Sequence, residues 1–131
     1  IKLVKPVLYL QSAPKVALIM EKFPNDKIRT IDEFEKVFIQ LLMFLNFLHS
    51  NGIVHCDIKP NNILYCSKQQ TIRVIDFGLS LYFKEGEIFN DYRGTRGFMA
   101  PEVEKEQNHK KDKSDVYSLG RTLQYLSLIH I

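Results

Sequence analysis

His55-Cys56-Asp57-Ile58-Lys59-Pro60-Asn61-Asn62, followed by Ile75-Asp76-Phe77-Gly78, is the stretch on which the fold of this chain turns. The first segment carries a carboxylate, an amine and an amide at i, i+2 and i+5. The second sets an aspartate between an apolar run and a glycine. Between them, Ile63 to Cys66 and Ile72 to Ile75 read as a strand pair around a turn at Ser67 to Gln70. The polar residues therefore fall in loops just before and just after a hairpin, the way a rigid scaffold presents chemistry.

Upstream, Thr30-Ile31-Asp32-Glu33 fits a capping box, a Thr hydroxyl with a Glu three residues on. Phe34, Val37, Phe38, Leu41, Leu42, Leu45 and Leu48 then recur at three- and four-residue steps, predicting an amphipathic helix with a wide apolar face. Gly52 closes it as a left-handed cap. Nearer the start, Ile1 to Leu10 and Val16 to Met20 read as two strands joined by a turn at Gln11-Ser12-Ala13-Pro14, and Phe23-Pro24-Asn25-Asp26 breaks the second. Downstream, residues 84 to 97 are polar and hold three of the six glycines, which predicts a long loop. Asp115 to Leu128 is helical by pattern. Strands and helices in this arrangement give an α+β class.

Composition sets outer bounds. At 131 residues the chain has room for about one domain. Its 45% hydrophobic and 25% charged residues are an ordinary globular balance. A net charge of +3 is too small to argue for nucleic acid or an anionic membrane. No apolar run reaches the roughly 20 residues of a spanning helix. Cys56 and Cys66 match no zinc spacing and make no disulfide framework, which favours a reducing, intracellular compartment, cytoplasm or nucleus. Ile1 and Ile131 both fall within apolar stretches, so the chain is expected to be a piece of a longer protein.

Five motifs in order resemble those of a eukaryotic-type serine/threonine protein kinase. Met20-Glu21-Lys22-Phe23 is similar to the hinge that links the two lobes. The segments at Asp57 and at Asp76-Phe77-Gly78 are similar to the catalytic loop and the metal-binding Asp-Phe-Gly. Gly94-Thr95-Arg96-Gly97-Phe98-Met99-Ala100-Pro101-Glu102 resembles the end of the activation loop, and Asp115-Val116-Tyr117-Ser118-Leu119-Gly120 the opening of the sixth large-lobe helix. The resemblance covers essentially the whole chain. It implies a truncated protein-kinase-like fold: small-lobe strands over residues 1–20, the hinge over 21–24, and an incomplete, mainly helical large lobe over 25–131.

Carried over by the resemblance, Asp57 is expected to be the base, Lys59 to neutralise the γ-phosphoryl group, and Thr95 to hydrogen-bond both. Asn62 and Asp76 are expected to hold Mg2+. Met20, Glu21 and Phe23 of the hinge, with Leu64 beneath the adenine, are expected to bind ATP. His55 and Phe77 would pack in a hydrophobic spine, with Gly78, Glu102 and Asp115 in structural support, Asp115 anchoring the catalytic-loop backbone. Lys59 and Thr95 point to serine/threonine specificity. Protein substrates are implied, with a regulatory partner as a further candidate, and neither nucleic acid nor a membrane segment. Asp26 is not expected to reach the ribose, because the link from Phe23 to the helix is short for this family.

Cys56 stands where the family usually has an arginine that pairs with a phosphorylated activation loop. It is not expected to be a nucleophile, since neighbouring His55 points the opposite way in an extended segment. Lys22 and the charges from Lys105 to Lys113 read as solvated surface. Two competing readings remain: a pseudokinase acting as a scaffold or allosteric module, and a small-molecule kinase. The set Asp57, Lys59, Asn62 and Asp76 weighs against the first, since a scaffold has no physical need for it. The segment from Thr95 to Glu102, which resembles a platform for protein substrates, weighs against the second.

Overall fold

A computed structural model describes residues 6–12 and 15–130 of the chain. Strands β1 (Pro6–Ser12) and β2 (Lys15–Met20) form an antiparallel hairpin, followed by helix α1 (Ile31–Ser50), β3 (Ile53–Val54), one 3-10 turn (Pro60–Asn62), and β4 (Ile63–Cys66) with β5 (Thr71–Val74). Then come β6 (Leu81–Tyr82), a short helix α2 (Pro101–Glu104) and the long helix α3 (Lys111–His130). The α+β expectation holds. Within the first predicted turn, Gln11 and Ser12 instead belong to β1, paired with Val16 and Lys15; residues 1–5 and 13–14 lie outside the described residues.

The capping box opens α1 as predicted. The Glu33 N–H donates to Thr30 Oγ1 at 3.1 Å, and Glu33 Oε2 accepts from the N–H groups of Thr30 and Arg29. That occupies donors which the first turn leaves without intrahelical partners, and such a cap is worth about 1 kcal/mol. At the far end Gly52 has φ +69°, and a β-carbon there would lie 3.3 Å from the Phe83 carbonyl. The cap thus needs glycine for its conformation and is tight on space.

The inward face of α1 is Val37, Leu41, Phe44, Leu45 and Leu48. Phe38 and Leu42, predicted on the apolar face, are 37% and 47% exposed, whereas Phe44 is buried. A helix apolar on more than one side gives no unique inward direction. The β4–β5 hairpin and α3 decide it, by supplying Ile63, Tyr65, Ile72, Val74, Leu119 and Leu126 to the same core.

The second hairpin pairs Ile63 with Val74 and Cys66 with Thr71. Its second strand runs over Thr71–Val74, one residue earlier than predicted, and the Ile75 N–H continues the same register by donating to the Asn62 carbonyl at 2.9 Å. That bond ties the two polar loops together. The pairing of β3 with β6 has no signal in so short a stretch. Helix α3 begins at Lys111, four residues before Asp115, with a polar first turn that carries no apolar period. Residues 84–97 contain no helix, and their only pairing is the isolated bridge at Phe89.

Candidate active site

The loop from His55 to Lys59 is fastened from beneath by one buried carboxylate. Asp115 Oδ2 accepts the His55 N–H at 2.9 Å and Oδ1 accepts the Cys56 N–H at 2.8 Å. His49 Nε2, at 3.0 Å from Oδ2, adds a contact from the end of α1. Sequence reasoning missed His49, for which the only signal is its place in the last turn of the capped helix. Cys56 has φ +68°, and the neighbouring loop repeats this conformation at Asp76 with φ +61°. Left-handed backbone at non-glycine residues is costly and persists only where the surroundings fix it, typically at functional sites.

His55 is fully buried and acts as a spacer between these loops. Its Nδ1 accepts the Asp57 N–H at 3.1 Å, so the ring proton belongs on Nε2, which lies 3.1 Å from the Ile75 carbonyl. Burial holds the imidazole below the usual histidine value, against the opposing pull of the Ile75 carbonyl and the nearby carboxylates. Its ring meets Phe77 edge-on at 4.9 Å and Phe44 at 6.4 Å. Phe44, absent from the predicted set, completes this three-ring stack.

Above the stack, four side chains converge. Thr95 Oγ1 donates to Asp57 Oδ1 at 2.5 Å and accepts from Lys59 Nζ at 2.9 Å. Lys59 Nζ is also 3.5 Å from Asp57 Oδ2. Asn62 Nδ2 donates to the Asp57 carbonyl at 2.9 Å and to its Oδ2 at 3.2 Å. Asp57 and Asn62 are buried, Lys59 and Thr95 half-buried. The predicted cluster of carboxylate, ammonium, amide and hydroxyl is therefore assembled.

Asn62 spends its amide N–H on Asp57, which leaves its Oδ1 free. Asp76 is exposed; its Oδ1 accepts the Gly78 N–H at 3.1 Å, which leaves Oδ2 free. Two free hard oxygens on adjoining loops suit Mg2+, which takes few protein ligands and completes its shell with water and phosphate. Among the described residues no cluster of three or more His, Cys, Asp or Glu could cage an ion by itself.

The other predicted positions are less tightly drawn together. Met20 and Glu21 are exposed at the end of β2 and just after it, and Leu64 is half-buried on β4 opposite Arg73. Phe23 lies under the Arg73 guanidinium at 4.7 Å. Asp26 is committed elsewhere: its Oδ2 accepts the N–H and hydroxyl of Ser67, and the first of these bonds is the main cause of its lowered pKa. Glu102 is half-buried in the first turn of α2 and has no ion partner among the described residues. Burial, with Asp115 nearby, pushes the Cys56 thiol up to about 12, which removes it as a nucleophile.

One expectation is overturned. Lys111, read as solvated, is only 2% exposed, and its Nζ lies 2.6 Å from Asp91 Oδ1. A run of charges carries no sign of which member turns inward, and its partner is 20 residues away in a loop.

Comparison with known proteins shows the family. A model of the protein kinase domain matches residues 3–129. Sperm motility kinase 2B of Mus musculus is 38% identical over 126 residues, 89% of this chain and 26% of that protein. The probable serine/threonine-protein kinase fhkB of Dictyostelium discoideum is 42% identical over 102 residues, 74% of this chain and 9% of its own length. CDPK-related kinase 1 of Arabidopsis thaliana is 43% identical over 93 residues, 68% of this chain and 16% of its own. The chain thus spans about a quarter or less of these curated relatives.

Proposed function

The chain belongs to the protein kinase domain family, and from that premise we propose that the whole protein transfers the γ-phosphate of ATP to serine or threonine of protein substrates. On this reading residues 1–20 end the small lobe, 21–24 form the hinge, and 25–131 belong to the large lobe. The observation that carries it is the bonding of Asp57 to Thr95 and Asn62, with Lys59 beside it. Asp57, fixed by Thr95 and Asn62, orients the substrate hydroxyl and accepts its proton. Lys59 offsets charge on the transferred group. Asn62 Oδ1 and Asp76 would hold Mg2+, whose role when bound is to neutralise charge on the polyphosphate. The backbone after Met20 and the side chain of Leu64 would seat adenine.

Serine/threonine specificity rests on Lys59 two residues after Asp57, its bond to Thr95, and the serine/threonine kinase named among the relatives. The test is phosphotransfer by the full-length protein to a serine/threonine peptide mixture, with Mg2+ titrated for wild type and Asp76→Asn. Wild type should turn over, and the variant should lose about a hundredfold or more while remaining folded. Equal rates and equal Mg2+ dependence would remove Asp76 from the site.

A further inference from the structure

The buried lysine at the start of α3 has a partner in the long loop, and that pairing bears on how the loop is held. Asp91 sits four residues before Thr95. Its Oδ1 is 2.6 Å from Lys111 Nζ and its Oδ2 accepts from Arg93 Nε at 3.0 Å. His109 Nε2 faces Oδ1 at 3.9 Å, while its Nδ1 is engaged by the Gln107 carbonyl at 2.7 Å. The Lys111 ammonium also stands 5.5 Å from the centre of the Phe89 ring. Phe89 and His109 exchange two backbone hydrogen bonds of 2.9 Å, fixing the loop to the stretch before α3. Arg93 Nη1 reaches back to the Leu79 carbonyl at 3.2 Å. The two ends of the loop are thereby tied together.

The consequence reaches Asp57 within a few residues. After Arg93 comes Gly94, with φ +135°; a β-carbon there would meet Met99 Cγ at 2.6 Å and the Cys56 carbonyl at 3.0 Å. Thr95 follows and donates to Asp57. The path from Lys111 through Asp91, Arg93 and Gly94 thus sets where Thr95 meets the proposed base.

We propose that Asp91 is a positioning residue, whose permanent negative charge, held by Lys111 and Arg93, fixes the segment before Thr95 without any added phosphate. This rests on the kinase reading above. Three observations support it. Cys56 supplies no cation. The space bounded by Cys56, Arg93, Lys111 and Ser114 is about 10 Å³, room for at most one water and none for a phosphoryl group. From Phe83 to Gly94 the sole side-chain hydroxyl is Tyr92, which is exposed. Asp91 keeps its charge at neutral pH: burial raises its pKa, but Lys111 and Arg93 outweigh burial and the net shift is downward. Removing the carboxylate would leave the Lys111 ammonium buried beside no anion, the costly half of a broken pair.

The experiment follows two readouts in the full-length protein: amide hydrogen exchange over residues 86–96 and 109, and steady-state phosphotransfer. The samples are wild type, phosphatase-treated wild type, Tyr92→Phe, Asp91→Asn and Asp91→Glu. Should Asp91→Asn fail to fold, Asp91→Asn with Lys111→Met replaces it, since that pair strands no charge. Asp91→Asn should speed exchange at Phe89 and His109, whose N–H groups bond each other's carbonyls, about tenfold or more. It should also lower kcat about tenfold to a hundredfold, with KM for ATP changed by less than about threefold. Asp91→Glu should recover most of both; phosphatase treatment and Tyr92→Phe should alter neither. Unchanged exchange in the Asn variant, or phosphatase treatment reproducing its pattern, would overturn the proposal. A wild type without phosphotransfer but with the predicted exchange pattern would support the clamp and defeat the kinase reading, so the two fail separately.

Discussion

Helix α3 holds the site at two points one turn apart, and it does so by different physics. Asp115 offers a carboxylate to two backbone N–H groups of the loop containing Asp57. Lys111, four residues earlier, offers an ammonium to the Asp91 carboxylate of the long loop. The first anchor fixes main chain, so it dictates where every residue from His55 to Asp57 lies. The second fixes one side chain, and its hold travels to Thr95 through Arg93 and Gly94. Both are buried on the α3 side, where an unpaired charge or donor is expensive. The backbone anchor has no substitute, whereas the ion pair could in principle be replaced by another anion. The loop with Asp57 therefore depends on its main chain being held, and the segment before Thr95 on one side-chain pair.

Asp115→Ala removes the backbone anchor altogether. It leaves the N–H groups of His55 and Cys56, and the inner nitrogen of His49, without their acceptor. A loss of about 3 kcal/mol is expected from the full-length protein by denaturant unfolding, together with loss of phosphotransfer. A variant of near-native stability would mean that the loop is held by its own packing.

Gly94→Ala probes the junction between the two anchors. The new methyl would press on Met99 and the Cys56 carbonyl in a backbone region that disfavours side chains. The expected destabilisation is about 2 kcal/mol, with faster amide exchange at Phe98 and Met99, which donate to the Thr95 carbonyl, but little change at Ser67 in the β4–β5 turn. Equal disturbance of both would show that the junction is not local.

A smaller effect, read by pH, concerns His55, the buried spacer on the loop that Asp115 holds. Burial lowers the pKa of His55 in the folded protein, and a proton on its Nδ1 would oppose the Asp57 N–H. The unfolded chain takes up that proton near pH 6.5 and the folded chain does so only at lower pH. Stability is therefore intact above about 6.5 and declines as pH falls below it. Melting temperature should drop between about pH 7 and pH 5, and His55→Phe, though less stable at pH 7, should show a shallower slope. Parallel slopes would exclude His55 as the group responsible.

Much of this arrangement was legible in the sequence, because the residues concerned stand at short fixed intervals. Asp57, Lys59 and Asn62 share one loop, Thr30 and Glu33 share one helical turn, and Asp76 follows an apolar strand directly. Asp115 was anticipated through the family resemblance, and the α+β class followed from the order of strands and helices. What sequence could not supply were contacts between segments far apart. Lys111 sits among Lys110, Asp112 and Lys113, and nothing local singles it out from solvated neighbours. Phe44 lost its place to Phe38 and Leu42, because α1 is apolar on more sides than the described residues cover. The two-residue strands β3 and β6 carry no periodicity at all.

Asp57, held by Thr95 and Asn62 over the Asp115 anchor, is the proposed base of the phosphoryl transfer. Its most direct test is turnover of the full-length Asp57→Ala variant on a serine/threonine peptide with MgATP, alongside its affinity for ATP. A fall in kcat of about a hundredfold to ten-thousandfold is expected, with ATP affinity changed by less than about threefold. Turnover within about twofold of wild type, in a folded variant that still binds ATP, would contradict it.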